Sequence, residues 1–162
     1  MTAAGRRGTH ASLRRLLVVL SLLFLAGRAQ ARSIVSARTA LVESTLDYLN
    51  IPYLWGGEHP QTGLDCSGFV QRVYRRAGLA VPRNTREQFK DTRRLGPEEV
   101  LPGDLLFFSM HDPGSSKIDH VGIYMGKGYF VHASVSGGIH VESIAKPYFL
   151  SRLIGIRKYR GF

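Results

Sequence analysis

The first thirty or so residues limit what the rest of the chain can be. Arg6, Arg7, Arg14 and Arg15 precede an apolar run from Leu16 to Ala26, and Ala29-Gln30-Ala31 supplies a small-residue cleavage pattern. A basic stretch, a short apolar stretch and such a site describe a secretory leader, and the run is short for a hydrocarbon core of roughly 30 Å. An uncleaved anchor is the alternative; no cysteine lies at the cleavage site to take a lipid. Removing residues 1–31 from the 162 leaves 131, enough for one domain with a real hydrophobic core and too few for two. Residues 32–162 are therefore expected to form one domain of an exported protein, in the periplasm, cell envelope or medium, with no stable membrane span after processing.

Export makes the cysteine content informative. Cys66 is the only cysteine, so no disulfide can form within the chain and the thiol needs another purpose. The leader holds five of the 22 basic residues and no acids, which leaves 17 basic against 12 acidic residues in the remainder. That modest positive charge suits retention near a polyanionic surface. Nucleic acid is not an expected partner, because the basic residues are scattered in short pairs such as Arg75-Arg76 and Arg93-Arg94.

Hydrophobic spacing places a short amphipathic helix over Thr39–Asn50, stopped by Asn50 and Pro52, and then a glycine-rich loop through Gly63. From Ser67, the residues Phe69, Val70, Val73 and Ala77 form one helical face that Gly78 can end, with Asp65 as N-cap. Thr85 and Gln88 have capping-box spacing for a third helix through Arg93. Leu105–Phe108 reads as a strand after the turn Pro102-Gly103-Asp104. His120–Tyr124 and Tyr129–Ala133 read as a hairpin around Gly126–Gly128, with short strands at Ile139–Val141 and Leu153–Arg157. Helices first and an antiparallel sheet after them make an α+β fold.

Cys66 would lie in the first turn of its helix, where unpaired N–H groups and the helix dipole favour a thiolate, as would a nearby imidazole. A small buried hydrophobe is the bland alternative. With a three-residue hairpin loop, Met125 faces Tyr129, so His120 and His132 project from one face and Gly122 leaves room beside His120 for a helix end; a two-residue loop would separate them. His59, His111 and His140 carry no expected role.

These blocks together resemble a family. Tyr53-Leu54-Trp55-Gly56-Gly57, Asp65-Cys66-Ser67-Gly68-Phe69-Val70, Pro82-Arg83-Asn84-Thr85 with Gln88, Pro102-Gly103-Asp104-Leu105, and His120-Val121-Gly122-Ile123-Tyr124 through Val131-His132-Ala133-Ser134 are similar, in order and spacing, to the NlpC-type cell-wall endopeptidases. The resemblance implies a papain-like fold, with the cysteine helix packed on the sheet that carries the histidines. It implies Cys66 as nucleophile, His120 as general base and acid, and His132 as the group that orients His120. It also implies Tyr53 beside the oxyanion, and Asp65 and Ser67 at the free amino end of the substrate. The implied substrate is a peptidoglycan stem peptide, cut between γ-linked D-glutamate and a dibasic third residue such as diaminopimelate. A monomer is expected, and no CxxC or HExxH spacing calls for a metal; no cofactor is expected. The polar stretch from His111 to Asp119 is expected to form a rim. Rival readings are a thiol amidase or acyltransferase on the same scaffold, a wall-binding module that has kept the fold, and a zinc site of Cys66, His120 and His132.

Overall fold

The structure is a computed structural model that describes residues 7–162, with side chains from residue 12 onward; Arg6 of the basic stretch lies outside the described residues. The chain divides into a unit ending at Ser36 and a second unit, Ala37–Phe162. The described part of the first unit belongs to helix α1 (Arg7–Leu46), in which Ser12–Leu46 is long and apolar enough to cross a membrane by length and composition, a property secretory leaders share. The leucines, valines and phenylalanine between Leu16 and Leu25 are exposed.

In the second unit, α1 closes at Leu46, earlier than the expected Asn50. Asn50 takes a left-handed φ of 67° and turns the chain, so that Asn50 and Ile51 exchange backbone hydrogen bonds with Ile139. The glycine-rich loop folds into a ribbon of β1 (Glu58–His59) and β2 (Gly63–Leu64). Then come α2 (Cys66–Arg76), α3 (Thr85–Lys90), β3 (Thr92–Arg94), β4 (Leu105–Phe108), β5 (His120–Gly126), β6 (Tyr129–Ser134), β7 (Gly138–Ser143), α4 (Pro147–Leu150) and β8 (Leu153–Tyr159). Six strands form one antiparallel sheet in the order β3-β8-β4-β5-β6-β7.

Both faces of this sheet are covered, which is why Leu105, Leu106, Phe107 and Phe108 are all fully buried instead of alternating. On one face, Phe69, Val70, Val73 and Tyr74 of α2 pack on Leu105, Phe107, Val121, Ile123 and Val131. On the other, Leu106, Phe108 and Phe130 pack with Phe149 of α4. The expected third helix is shorter than its spacing suggested. Asn84, not Thr85, is its cap, accepting from Glu87 N at 2.9 Å, and Thr92–Arg94 leaves the helix to pair with Arg157–Tyr159. Residue 92 is a β-branched threonine, and it sits buried in that pairing.

A buried ion pair fixes the turn that leads into β4. Arg38 on α1 donates to Pro102 O and to Asp104 Oδ1, both at 2.9 Å, while Asp104 Oδ2 accepts from Leu101 N at 2.8 Å. The aromatic ring of Phe162 stacks under the Arg38 guanidinium, and Asp104 is fully buried.

The hairpin that carries the two histidines differs from expectation in an instructive way. Gly126 pairs with Tyr129, so the turn is the two residues Lys127 and Gly128, both at positive φ. That count alone would separate the histidines. The register shifts between Tyr124 and Gly126, however, and Ile123 still faces Val131. The extra residue, Met125, restores the parity, and His120 and His132 share a face.

Candidate active site

Tyr53, Asp65, Cys66, Ser67, His120 and His132 all line one open cleft of about 1280 Å³. Asp65 starts the arrangement. Its extended backbone precedes α2, and its Oδ1 accepts from Gly68 N at 2.7 Å, so it is the N-cap. Cys66 follows as the first helical residue. Gly68 has a steric reason to be glycine, since a Cβ there would lie 2.4 Å from Gly57 O; the loop lies against the helix start.

Arg83 locks this corner together. Its Nη1 donates to Asp65 Oδ1 and Ser67 Oγ, both at 2.9 Å, and its Nη2 donates to Asp65 Oδ2 at 2.8 Å and Gly57 O at 3.2 Å. Its Nε donates to Glu58 Oε1 at 2.8 Å, which uses every donor a guanidinium has. Behind it, the buried amide of Gln88 donates to Ser67 O at 3.0 Å and Pro82 O at 2.8 Å. Neither Arg83 nor Gln88 has a local sequence signal that joins it to Asp65 or Ser67; only the similarity of the Pro82–Thr85 block pointed there. Asp65 and Ser67 thus do not wait as bare ligands for an amine. An ammonium entering here meets two carboxylates and one guanidinium.

Cys66 is 8 % exposed, and burial pushes the pKa of its thiol up, with the charge of Asp65 acting in the same direction. A hydrogen bond with Thr85 and the backbone amides of Val121 and Ser67 oppose this without reversing it. The expectation of a thiol lowered by its helix start is therefore not met in the resting site, because desolvation of the sulfur outweighs the donors around it. Thr85 Oγ1 lies 3.8 Å from Sγ, whereas His120 turns its Nε2 to His132 Nδ1 at 2.8 Å. The hydroxyl of Tyr53 is raised by its own burial and then by Cys66 and Asp65, which places it electrostatically in the same corner.

His120 is the first residue of β5, at the end of the sheet, so the cleft reaches both it and the start of α2. The space expected beside it for a helix end is used differently. A Cβ on Gly122 would lie 2.8 Å from the Phe130 ring and 3.3 Å from His132 Cβ, so the glycine admits those two rings, while α2 packs on the opposite face. Burial pushes the His120 pKa down to about 4 against the partial opposition of Asp119, and burial followed by the proximity of His120 pushes His132 lower still. Both imidazoles are neutral at pH 7. His132 Nε2 is buried without a hydrogen-bond partner among the described residues, and its ring packs against His140 (4.9 Å) and Phe149 (5.5 Å).

The expected rim between His111 and Asp119 is a closed loop. Asp119 Oδ1 accepts from Met110 N at 2.7 Å, and Oδ2 accepts from His111 N at 3.2 Å with the His111 ring 2.9 Å away.

The depressed imidazoles carry a stability prediction. Unfolded histidine binds a proton near pH 6.5, whereas folded His120 does so only near pH 4. The unfolded state therefore holds more protons throughout that window, and stability must fall as pH drops from about 6.5 to about 4. Thermal melts at half-unit steps should show the decline, and His132→Gln should flatten it. A melting temperature that is constant across the window contradicts a neutral, buried pair.

The NlpC/P60 family pattern matches residues 50–158, which span β1 through most of β8. The gamma-DL-glutamyl hydrolase of Bacillus subtilis is 33 % identical over 137 residues, covering 84 % of this chain and 33 % of its own length. The murein DD-endopeptidase MepS/murein LD-carboxypeptidase of Escherichia coli is 37 % identical over 119 residues, covering 73 % of this chain and 61 % of its own length. The chain thus spans less than two thirds of these relatives. Among solved structures, a Staphylococcus aureus protein described as similar to lipoprotein, NLP/P60 family, superposes with a TM-score of 0.69 at 33 % identity, over 76 % of this chain and 41 % of that one. With the match extending over the cysteine helix, α3 and the histidine hairpin, this chain belongs to the NlpC/P60 family.

Proposed function

We propose that this chain is an exported peptidoglycan hydrolase, a thiol endopeptidase that cuts stem peptides between γ-D-glutamate and diaminopimelate or an equivalent dibasic residue. The observation that carries the reading is the sharing of one cleft by Cys66, at the start of α2, and the hydrogen-bonded pair His120–His132. The relatives' names support the substrate class, and they divide on the bond: one is a gamma-DL-glutamyl hydrolase, another a murein DD-endopeptidase. Residues 1–31 serve as the export leader in this reading, and residues 32–162 as the catalytic domain acting as a monomer.

In the proposed mechanism His120 Nε2–H donates to His132 Nδ1, which fixes the tautomer and leaves Nδ1 of His120 with a lone pair for the thiol. His120 takes the Cys66 proton as the sulfur attacks the scissile carbonyl carbon, so a C–S bond forms and the carbonyl oxygen becomes an oxyanion. The Cys66 backbone N–H and the Tyr53 hydroxyl donate to that oxygen. Collapse breaks the C–N bond, and the leaving amine takes the proton from His120. Water then attacks the thioester, giving one proton to His120, and the expelled thiolate recovers it. Asp65 and Ser67, held by Arg83 with Glu58 alongside, form the subsite for the substrate's amino end. The array of Asp65, Glu58 and Arg83 keeps one net negative charge for an ammonium.

Digestion of defined muropeptides by the full chain, read by mass, tests this. Products ending in D-glutamate with a new amino terminus on the dibasic residue are expected. Release of intact stem peptide from muramic acid instead identifies an amidase, and cleavage between two stems identifies a cross-link endopeptidase; either result overturns the proposed bond.

A further inference from the structure

We propose that the Thr85 hydroxyl is a positioning donor for the nucleophile: it holds the Cys66 sulfur in the cleft and stabilises the thiolate when His120 removes the proton. The inference rests on the reading of Cys66 as a nucleophile.

Three observations lead to it. The Thr85 hydroxyl is the side-chain partner of the sulfur, at 3.8 Å, and Thr85 lines the cleft beside Cys66. A bond of that length between a hydroxyl and a neutral thiol tightens when the sulfur becomes an anion, as catalytic hydrogen bonds commonly do. Next, Thr85 is the first residue of α3, and its capping role is already filled by Asn84, so its side chain is not needed to start the helix. Finally, α3 is tied to the start of α2 on both sides of Thr85. Arg83 binds Asp65 and Ser67 from the residues before the helix, and Gln88 binds Ser67 O from its interior. A short helix of six residues has little stability of its own, so this bracket places one hydroxyl against one sulfur.

The need for such a donor follows from the resting site. Burial and then Asp65 disfavour the anion; of the cations that line the cleft among the described residues, Arg83 is committed to carboxylates, and Arg86 and Lys90 are exposed to solvent. With His120 neutral in the resting site, no imidazolium charge draws the thiol toward its anion before the proton is transferred. A fixed hydroxyl supplies a partial positive charge in the required place without a counter-ion.

The test uses the full chain as wild type, Thr85→Val and Thr85→Ser, with the thiolate followed by absorbance near 240 nm and by iodoacetamide alkylation across pH 5–10. Cys66 supplies the only thiol signal. Thr85→Val should raise the thiolate midpoint by about one to two pH units, the size of a lost hydrogen bond to a charged group. Its kcat/KM on muropeptide should fall about 10- to 100-fold, mostly in kcat, and Thr85→Ser should restore both. Coincident thiol titrations for wild type and Thr85→Val overturn the assignment. So does a loss that serine does not rescue while the melting temperatures agree. Because the titration needs no substrate, it reads Thr85 even if the chain cuts a different bond, whereas fragment release by a cysteine-free variant would sink the nucleophile reading itself.

Discussion

Cys66→Ala is expected to lower fragment release from purified sacculi by about 10⁴-fold or more while the protein still folds and still binds the wall. Removing a covalent nucleophile leaves only binding and electrostatic assistance, which is why losses of this order are usual. The sulfur is a single buried atom at the edge of a cleft, so its removal should cost stability by only about 1 kcal/mol. His120→Ala should match the loss, because without a base the raised thiol stays protonated at neutral pH. His132→Ala should cost less, about 10- to 100-fold, since it orients a group rather than reacting. Mass analysis of the soluble products gives all three. Undiminished release by Cys66→Ala would remove the thiol mechanism, and with it every role assigned around the sulfur. If release were absent from the wild type as well, with binding intact, the wall-binding alternative would stand.

The largest expected stability effect lies away from the cleft. Arg38→Ala should destabilise the domain by about 3–5 kcal/mol, because it leaves the fully buried Asp104 carboxylate without its cation. Burial already raises the Asp104 pKa despite the hydrogen bond from Leu101 and the charge of Arg38, so the stranded group will take up a proton. A carboxyl whose folded pKa is raised is least costly when protonated, and the penalty should therefore shrink as pH falls. The double variant Arg38→Met with Asp104→Leu should recover most of the loss, as buried pairs replaced by apolar residues often do. Urea titrations at two pH values measure each of these. A single variant within about 0.5 kcal/mol of wild type would show that the pair contributes nothing.

The sequence made the helix start and the strands legible because both rest on local chemistry. Asp65 before Cys66, the apolar face Phe69-Val70-Val73 and the run Leu105–Phe108 each declare their structure within a few residues. The end of α3 was not legible in this way. Thr92 and Arg93 extend a helical spacing, and only their pairing with the last strand, some 65 residues away, turns them into β3. The site divides along the same line. Cys66 and the two histidines could be named from position and parity, with the family likeness assigning their roles. Arg83 and Thr85 act across 16 to 19 residues through side chains whose direction depends on a loop, and no periodicity encodes that. The pKa of the thiol is hidden from the sequence for a related reason: a helix start is visible there, but the depth at which the fold buries it is not.

The hairpin at Lys127-Gly128 lies at the surface, where changes of length are ordinarily harmless. Here the two-residue turn and the bulge at Met125 act together as a counter, and only their combined count puts both imidazoles on one side of the sheet. A single-residue deletion in this tip, far from any reacting atom, would turn one histidine away from the other as surely as replacing it. Two such changes, one in the turn and one in the bulge, would cancel. The tip of this hairpin is therefore free to drift in composition and held rigidly in number.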